Sequence, residues 1–377
     1  MQLFNLIMVY SYIKYFLTNN FLVNYYYNND YFNKLSNVLE FVPTIKSKIK
    51  DQTIQYDEKL INSVSEFCQR NNIKENGKVI VSLSGGVDSM VLTTILKYLN
   101  YDVIGIHINY NNRKETSEEQ EFLEEWCNSN NIKLNVNSIT KLKRGTIKRS
   151  EYEYESKNIR FNFYKEVMQK ENLDFILLAH HKDDIVENIF ANVCRGRYIL
   201  DLAVIKEHSV INNVMLMRPF IDHYKTCIYE FSNKYQVPYF KDTTPEWSVR
   251  GRYRNQIYPL LQQTFSYSIK ENLLGLSKQS YDWNELIMDE IIKPFLNSII
   301  YEDKKCTFRI TDYRSKPLCF WNVIFMKIFY KYGKNCPSRR AIQVFINTIQ
   351  TVNVSYISLS DFCKCRNKND EITIEFK

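Results

Sequence analysis

The chain is predicted to be an α/β protein built on a doubly wound parallel sheet, followed by a C-terminal helical region with a small β tail. Three observations carry that prediction. Short apolar runs at residues 79–83, 103–108, 133–136 and 175–179 alternate with stretches of helical periodicity, the pattern of repeated βαβ units. The first run ends in a Gly-Gly turn that opens directly onto a helical pattern. Beyond Leu261 strand signals thin out and helical patterns take over.

Taken in order, Ile54, Leu60, Ile61, Val64, Phe67 and Cys68 recur at near-helical spacing and stop before Asn76-Gly77, which reads as an amphipathic helix closed by a glycine. The β-branched run 79–83 follows, and Asp88 opens a helix through Met90, Val91, Ile95 and Leu96. A second strand at 103–108 leads to an acidic helix through Phe122, Leu123 and Trp126, then to a third strand at 133–136. The fourth apolar run, 175–179, precedes a helix starting near Asp183. In such a sheet ligands bind at the carboxyl ends of the strands, so the chemistry is expected just after residues 83, 108 and 179. Helices are expected over 264–298, 318–332 and 338–351, and residues 352–376 alternate like a hairpin turning near 367–370. We read residues 1–50 as an N-terminal extension, 51–262 as the catalytic domain and 263–377 as a C-terminal region, with no internal repeat.

Composition narrows the class. With 45% hydrophobic and 24% charged residues among 377, a disordered or collagen-like chain is excluded, and two or three domains fit. Fifty Lys and Arg against 42 Asp and Glu give a net charge of +8, which favours an anionic partner. Nine cysteines with no C-x-x-C spacing point to a reducing compartment, and Cys363-Lys364-Cys365 has no second pair nearby, so no structural zinc is expected. The apolar start, residues 1–17, is interrupted by Lys14. It is short for a membrane span and lacks signal- or transit-peptide features, so a cytoplasmic protein with no membrane association is expected, an organelle remaining open.

The sharpest motif is Ser84-Gly85-Gly86-Val87-Asp88-Ser89. Where a glycine turn meets a helix N-terminus, exposed N–H groups form an anion cradle, and the missing Cβ atoms let phosphate oxygens approach. Ser84 and Ser89 add hydroxyls, and Asp88 is a candidate magnesium ligand. Neither the Walker A pattern nor G-x-G-x-x-G is present. An ordinary tight turn is the plain alternative, but it would not call for this place after a buried strand. After the fourth strand comes His180-His181-Lys182-Asp183-Asp184-Ile185-Val186-Glu187. Asp184 and Glu187, three apart on a helix, share a face and suit a metal or an amine. Acids placed for the helix dipole would account for Asp183 but not for the two histidines.

The first motif resembles the loop of the N-type ATP-pyrophosphatases, and the second resembles the His-His-x-Asp-Asp-x-x-Glu segment of the tRNA(Ile)-lysidine synthetases. The resemblance runs from about residue 54 to 261. His107-Ile108-Asn109 with Arg113, Glu155-Ser156-Lys157-Asn158-Ile159-Arg160-Phe161, Arg195-Gly196, Arg218-Pro219-Phe220 and Lys241-Asp242-Thr243-Thr244 leading to Arg250 and Arg254 are similar to the family's successive segments. Departures are Tyr110 where a histidine is usual, Asn188 for a threonine, and Pro245 and Gly251 at other family positions.

The resemblance implies an enzyme that adenylates the wobble cytidine of a CAU-anticodon tRNA(Ile) with ATP and Mg2+ and joins free L-lysine to it; dimers are common in the family. It implies ATP contacts from Ser84, Gly85, Gly86, Val87, Asp88, Ser89, His107 and Asn109, with Asp88, Asp184 and Glu187 catalytic. Arg160, Arg195, Arg250 and Arg254 would face lysine or tRNA. The basic runs Lys141, Lys143, Arg144, Lys148 and Arg149, then Arg195 and Arg197, then Arg250, Arg252 and Arg254 suit phosphates, although the first run also reads as a solvated loop. Two alternatives stay open. A tRNA thiolase would need the C-x-x-C that is missing, and a non-catalytic tRNA-binding protein would not need Asp88, Asp184 and Glu187.

Overall fold

The computed structural model describes residues 58–111, 115–140, 142, 146–240, 248–351 and 354–377. The N-terminal extension, Ile54, Arg113, Lys141, Lys143, Arg144, the Lys241-Asp242-Thr243-Thr244 segment and Pro245 lie outside the described residues. The chain divides into two compact units, Met1–Phe190 with Val204–Leu274, and Ala191–Ala203 with Gly275–Lys377.

The first unit runs α1 (Lys59–Arg70), β1 (Lys78–Ser82), α2 (Val87–Tyr98), β2 (Asp102–Asn109), α3 (Thr116–Ser129), β3 (Lys133–Ser138), α4 (Arg149–Glu171), β4 (Phe175–Leu177), α5 (Lys182–Cys194), β5 (His208–Ile211), β6 (Val214–Met217) and α6 (Lys225–Tyr235). It closes with α7 (Val249–Arg252), a π-helical turn (Tyr253–Ile257), α8 (Tyr258–Phe265) and the start of α9 (Ile269–Ile287). The sheet order is β3-β2-β1-β4-β6-β5. All neighbours pair in parallel except β5, which runs antiparallel to β6 at the edge. The β2 and β4 strands flank β1 on opposite sides, so the topological switch point lies between β1 and β4.

The strand pattern explains why β1 is continuous apolar sequence. Val79 and Val81 pack on one face with α1, α2, α3 and α6, through Val64, Phe67, Met90, Leu123 and Phe231. Ile80 packs on the other face with Ile104, Ile106 and Ile176 against Phe161, Tyr164 and Val167 of α4. Both faces are covered, as parallel strands require, and each such side chain contributes about 1.5–3 kcal/mol by burial.

All four expected strands form. The β5–β6 hairpin was not foreseen: its strands are four residues each, Val210 is exposed, and the turn is made by Asn212 and Asn213, both at positive φ. The Asn-Asn pair is a mirror-image turn signal that could have located it.

The second unit contains the rest of α9, a π-helical turn (Met288–Ile292), α10 (Lys293–Asn297), β7 (Ile300–Tyr301), β8 (Lys305–Arg309), α11 (Leu318–Lys331), α12 (Arg339–Thr351), β9 (Val354–Ile357), β10 (Cys363–Lys368) and β11 (Glu371–Phe376). The expected hairpin is β10–β11, turned by Asn369 and Asp370 at positive φ, but it is the inner part of an antiparallel five-stranded sheet ordered β7-β8-β11-β10-β9. The β8 strand escapes a pattern search because only Cys306 and Phe308 alternate inward. Their neighbours in the core are Trp321, Phe325, Phe345 and Ile374. The helix expected over 264–298 is interrupted at Ser266, whose φ is +92°. All nine cysteines are free thiols, and among the described residues no cluster of His, Cys, Asp or Glu is arranged to hold a metal.

Candidate active site

The site is built where β1 and β4 end. Between β1 and α2 the chain turns at Gly85, which has φ +83°. A Cβ there would meet nothing nearer than 3.7 Å, so the backbone angle and not crowding calls for glycine. Phe240 donates its N–H to Gly85 O at 2.8 Å, fixing the back of the loop. Ser89 Oγ accepts from Ser84 N–H at 3.1 Å and donates to Gly86 O at 3.0 Å, which shapes the loop into a cup. Gly86 caps α2 with no side-chain hydrogen bond of its own, leaving first-turn N–H groups for an anion.

A cavity of about 330 Å³ opens beside this loop, lined by Ser84, Gly86, Val87, Asp88 and Ser89 on one side and His180, Asp184, Lys225, Arg250 and Arg254 on the other. Asp88 heads α2 and Asp183 and Asp184 head α5, so the positive ends of two helices converge on it.

Ion pairing organises the acids. His181 is 1% exposed, with Nε2 at 3.5 Å from Asp88 Oδ1 and 3.4 Å from Asp184 Oδ2, and Nδ1 at 3.6 Å from Asp183 Oδ2. Burial pulls its pKa down, but pairing with Asp183, Asp88 and Asp184 outweighs that and pushes it up to about 9, so the ring is an imidazolium at neutral pH. Burial likewise opposes the charge on Asp88, and His181 with Lys225, whose Nζ is 3.5 Å away, holds the carboxyl below its usual range. Asp183 is held well below that range, against its burial, by His181, the Lys225 N–H at 2.8 Å and Lys270. His180 is the opposite of its neighbour. Burial, aided by Arg218 and Arg250 against Asp184, pushes its pKa down to about 4, and its Nδ1 accepts from Arg218 Nε at 3.0 Å.

Asp184 and Glu187 do share one face, and two arginines hold them there. Arg254 Nε donates to Glu187 Oε2 at 3.1 Å and its Nη2 lies 3.7 Å from Asp184 Oδ1, while Arg250 reaches Glu187 and, at 3.4 Å, Asp184. The Asp184 side chain also accepts the His181 N–H at 3.2 Å, closing the start of α5.

The expected residues are thus gathered in part. The loop residues, Asp88, Asp184, Arg250 and Arg254 line the cavity, Glu187 joins them through the arginines, and Gly85 is buried behind the loop. His107 lies beneath, its Nδ1 3.0 Å from Leu83 O. Asn109 does not line the cavity; its amide donates to Gln120 at 2.9 Å and its oxygen accepts Asn111 N–H, bracing the β2–α3 turn. Arg160 does not line it either, and lies 5.3 Å over the Phe161 ring with its Nε buried and unpaired. Arg195 is exposed past the end of α5, in the second unit. Gly251 lies in α7, its N–H donated to Ser248 Oγ at 2.9 Å.

Sequence reasoning missed the roles of His181, Lys225 and Lys270, and the lining residues Glu119, Tyr229 and Phe240. The paired histidines were visible but their opposite protonation was not, and the lysines come from helices whose approach no local pattern announces.

A divalent cation fits at Asp88. Among the described residues its Oδ1 is buried without a hydrogen bond and is held only by the longer ion pair to His181 Nε2 at 3.5 Å, which leaves the oxygen under-satisfied and able to take a cation.

The PP-loop domain family (ATP_bind_3) matches residues 56–261. Over 306 residues, 79% of this chain and 44% of the other, the chain is 24% identical to the bifunctional protein TilS/HprT of Listeria monocytogenes. It is 26% identical to the tRNA(Ile)-lysidine synthase of Chlamydia felis over 256 residues, 67% of this chain and 80% of that one. To the tRNA(Ile)-lysidine synthase of Oceanobacillus iheyensis it is 30% identical over 248 residues, 61% of this chain and 53% of the other. The chain spans about half the length of the Listeria and Oceanobacillus relatives. With the loop, the switch-point cavity and a match over more than half its length, the chain belongs to the PP-loop domain family.

Proposed function

We propose that the protein is a tRNA(Ile)-lysidine synthetase: with ATP it adenylates the wobble cytidine of a CAU-anticodon tRNA and then joins free lysine to it. The observation that carries the reading is the pairing of Asp184 and Glu187 with cationic side chains beside the phosphate loop. Together the two acids form a carboxylate pair able to hold lysine's ammonium in place of the arginines, and the named lysidine synthases among the relatives support the choice.

In the first step the C2 carbonyl oxygen of cytosine attacks the α-phosphorus of ATP, an O–P bond forms and pyrophosphate leaves. The Ser84–Ser89 cup and first-turn N–H groups of α2 bind the phosphates, and Lys225, Arg250 and Arg254 offset the charge that builds on the leaving group. Magnesium, held by Asp88, would supply further neutralisation of the phosphates. In the second step the lysine ε-nitrogen attacks C2 and AMP leaves. Asp184 and Glu187 exchange their arginine partners for the lysine ammonium, orient it and accept the proton it must lose. The second unit is proposed to contact the tRNA.

The test is incorporation of labelled lysine into a CAU-anticodon tRNA(Ile) transcript with ATP and magnesium. Label that depends on ATP and disappears in Asp184→Ala is the expected result. Pyrophosphate exchange without label would instead assign the activated base to another nucleophile, and binding of tRNA with neither reaction would make the chain a binding protein.

A further inference from the structure

A buried charge with no counter-ion calls for an explanation. Arg218 follows β6 and is 3% exposed. It pairs with no carboxylate among the described residues; its Nε donates to His180 Nδ1 at 3.0 Å, and its Nη1 donates to Lys206 O at 2.6 Å and Ser209 Oγ at 2.9 Å. The carbonyl and the hydroxyl aim the guanidinium, and the remaining bond is spent on an imidazole that lines the cavity.

A guanidinium only donates. The Nδ1 of His180 must therefore be the bare nitrogen, and the ring's one proton sits on Nε2. A ring protonated at Nδ1 would set one N–H against another and two positive charges side by side. The Nε2 atom has no partner in the protein among the described residues, and it is the polar atom left to this cavity-lining ring.

We propose that Arg218 is a positioning residue whose buried Nε–H holds His180 as the neutral Nε2–H tautomer, so that the cavity receives an uncharged donor for an oxygen of a nucleotide's phosphate chain. This rests on the reading of the cavity as a nucleotide site. The opposite tautomer would turn a lone pair toward that oxygen and repel it. An imidazolium would add a further cation to the positive groups already there, Lys225, Arg250, Arg254 and His181. The two adjacent histidines thus divide the work: His181 neutralises carboxylates, and His180 donates without changing the charge balance.

The chain has five histidines, so a long-range proton–nitrogen spectrum of the full-length protein with labelled histidine resolves each ring, and His180→Asn assigns the one in question. The expected pattern at neutral pH is a protonated Nε2 with a bare Nδ1. Arg218→Met is expected to abolish that pattern and to lower tRNA-dependent ATP–pyrophosphate exchange about 100-fold, with part of both restored in Arg218→Lys. A proton on Nδ1 of the unaltered protein, or a tautomer unchanged in Arg218→Met, overturns the proposal. Should Arg218→Met fail to fold, the unaltered protein and Arg218→Lys decide it. Addition of a non-hydrolysable ATP analogue with magnesium should shift the His180 Nε2 signal. If the analogue binds and that signal stays, the phosphate contact is wrong; if no nucleotide binds, the nucleotide reading itself falls while the tautomer result stands.

Discussion

At the scale of single residues, the proposed reaction divides the site between groups that would bind phosphate and groups that would handle an amine. Gly85 belongs to the first. Its φ of +83° penalises any side chain, so Gly85→Ala should cost about 1–2 kcal/mol in denaturant unfolding and weaken ATP binding measured by calorimetry. Retained affinity would show that the loop tolerates a different backbone. Glu187 belongs to the second group, and it carries bonds from both Arg250 and Arg254. Glu187→Gln should lower lysine transfer by about 100-fold while leaving ATP–pyrophosphate exchange within a few-fold. Equal loss of both steps would move Glu187 into the phosphate machinery. Of the site residues, those in the glycine loop and the acidic helix start were legible, because each is a contiguous string whose chemistry follows from its local backbone. Lys225 and Lys270 were not, since they reach Asp88 and Asp183 from helices begun far along the chain.

At the scale of elements, α4 is anchored by one acid. The Glu171 side chain is 4% exposed and pairs with Lys78 of β1 at 3.1 Å and with Lys133 of β3. Lys133 chiefly, with Lys78 and against the effect of burial, holds its carboxyl below the ordinary value of 4.5. The stabilisation from this acid is therefore present above pH 4.5 and is lost as the pH falls through the lower folded-state value. Because both lysines are half exposed, Glu171→Gln should cost only about 0.5–1 kcal/mol at pH 7. The gap between variant and parent in urea unfolding should close as the solution is acidified below that range; a gap independent of pH would assign the loss to packing. The β1, β2 and β4 strands were legible because burial on both faces leaves an apolar run. The β5–β6 hairpin and β8 were hidden, because strands of four or five residues with one exposed face show too little alternation to stand out.

At the scale of the whole molecule, the net charge of +8 suits a partner as anionic as tRNA. Raising salt from about 50 to 200 mM should weaken tRNA binding at least tenfold, as counterion release demands. Asp184→Ala should shift the affinity without altering that slope, which filter binding across a salt series would read. An affinity insensitive to salt would rule out a phosphate-dominated interface. Among the described residues no helix is long and apolar enough to cross a membrane.

By itself the sequence determined the class of sheet, the positions of its first four strands along the chain, the phosphate loop and the pair of acids on α5, since these are written in local patterns of a few to a dozen residues. Only the tertiary structure decided how the acids are charged and held. It placed His181 among three carboxylates and His180 against Arg218, giving adjacent, chemically identical side chains opposite protonation states. Protonation follows from the charges and burial around a group, and those come from strands and helices that meet only when the chain folds.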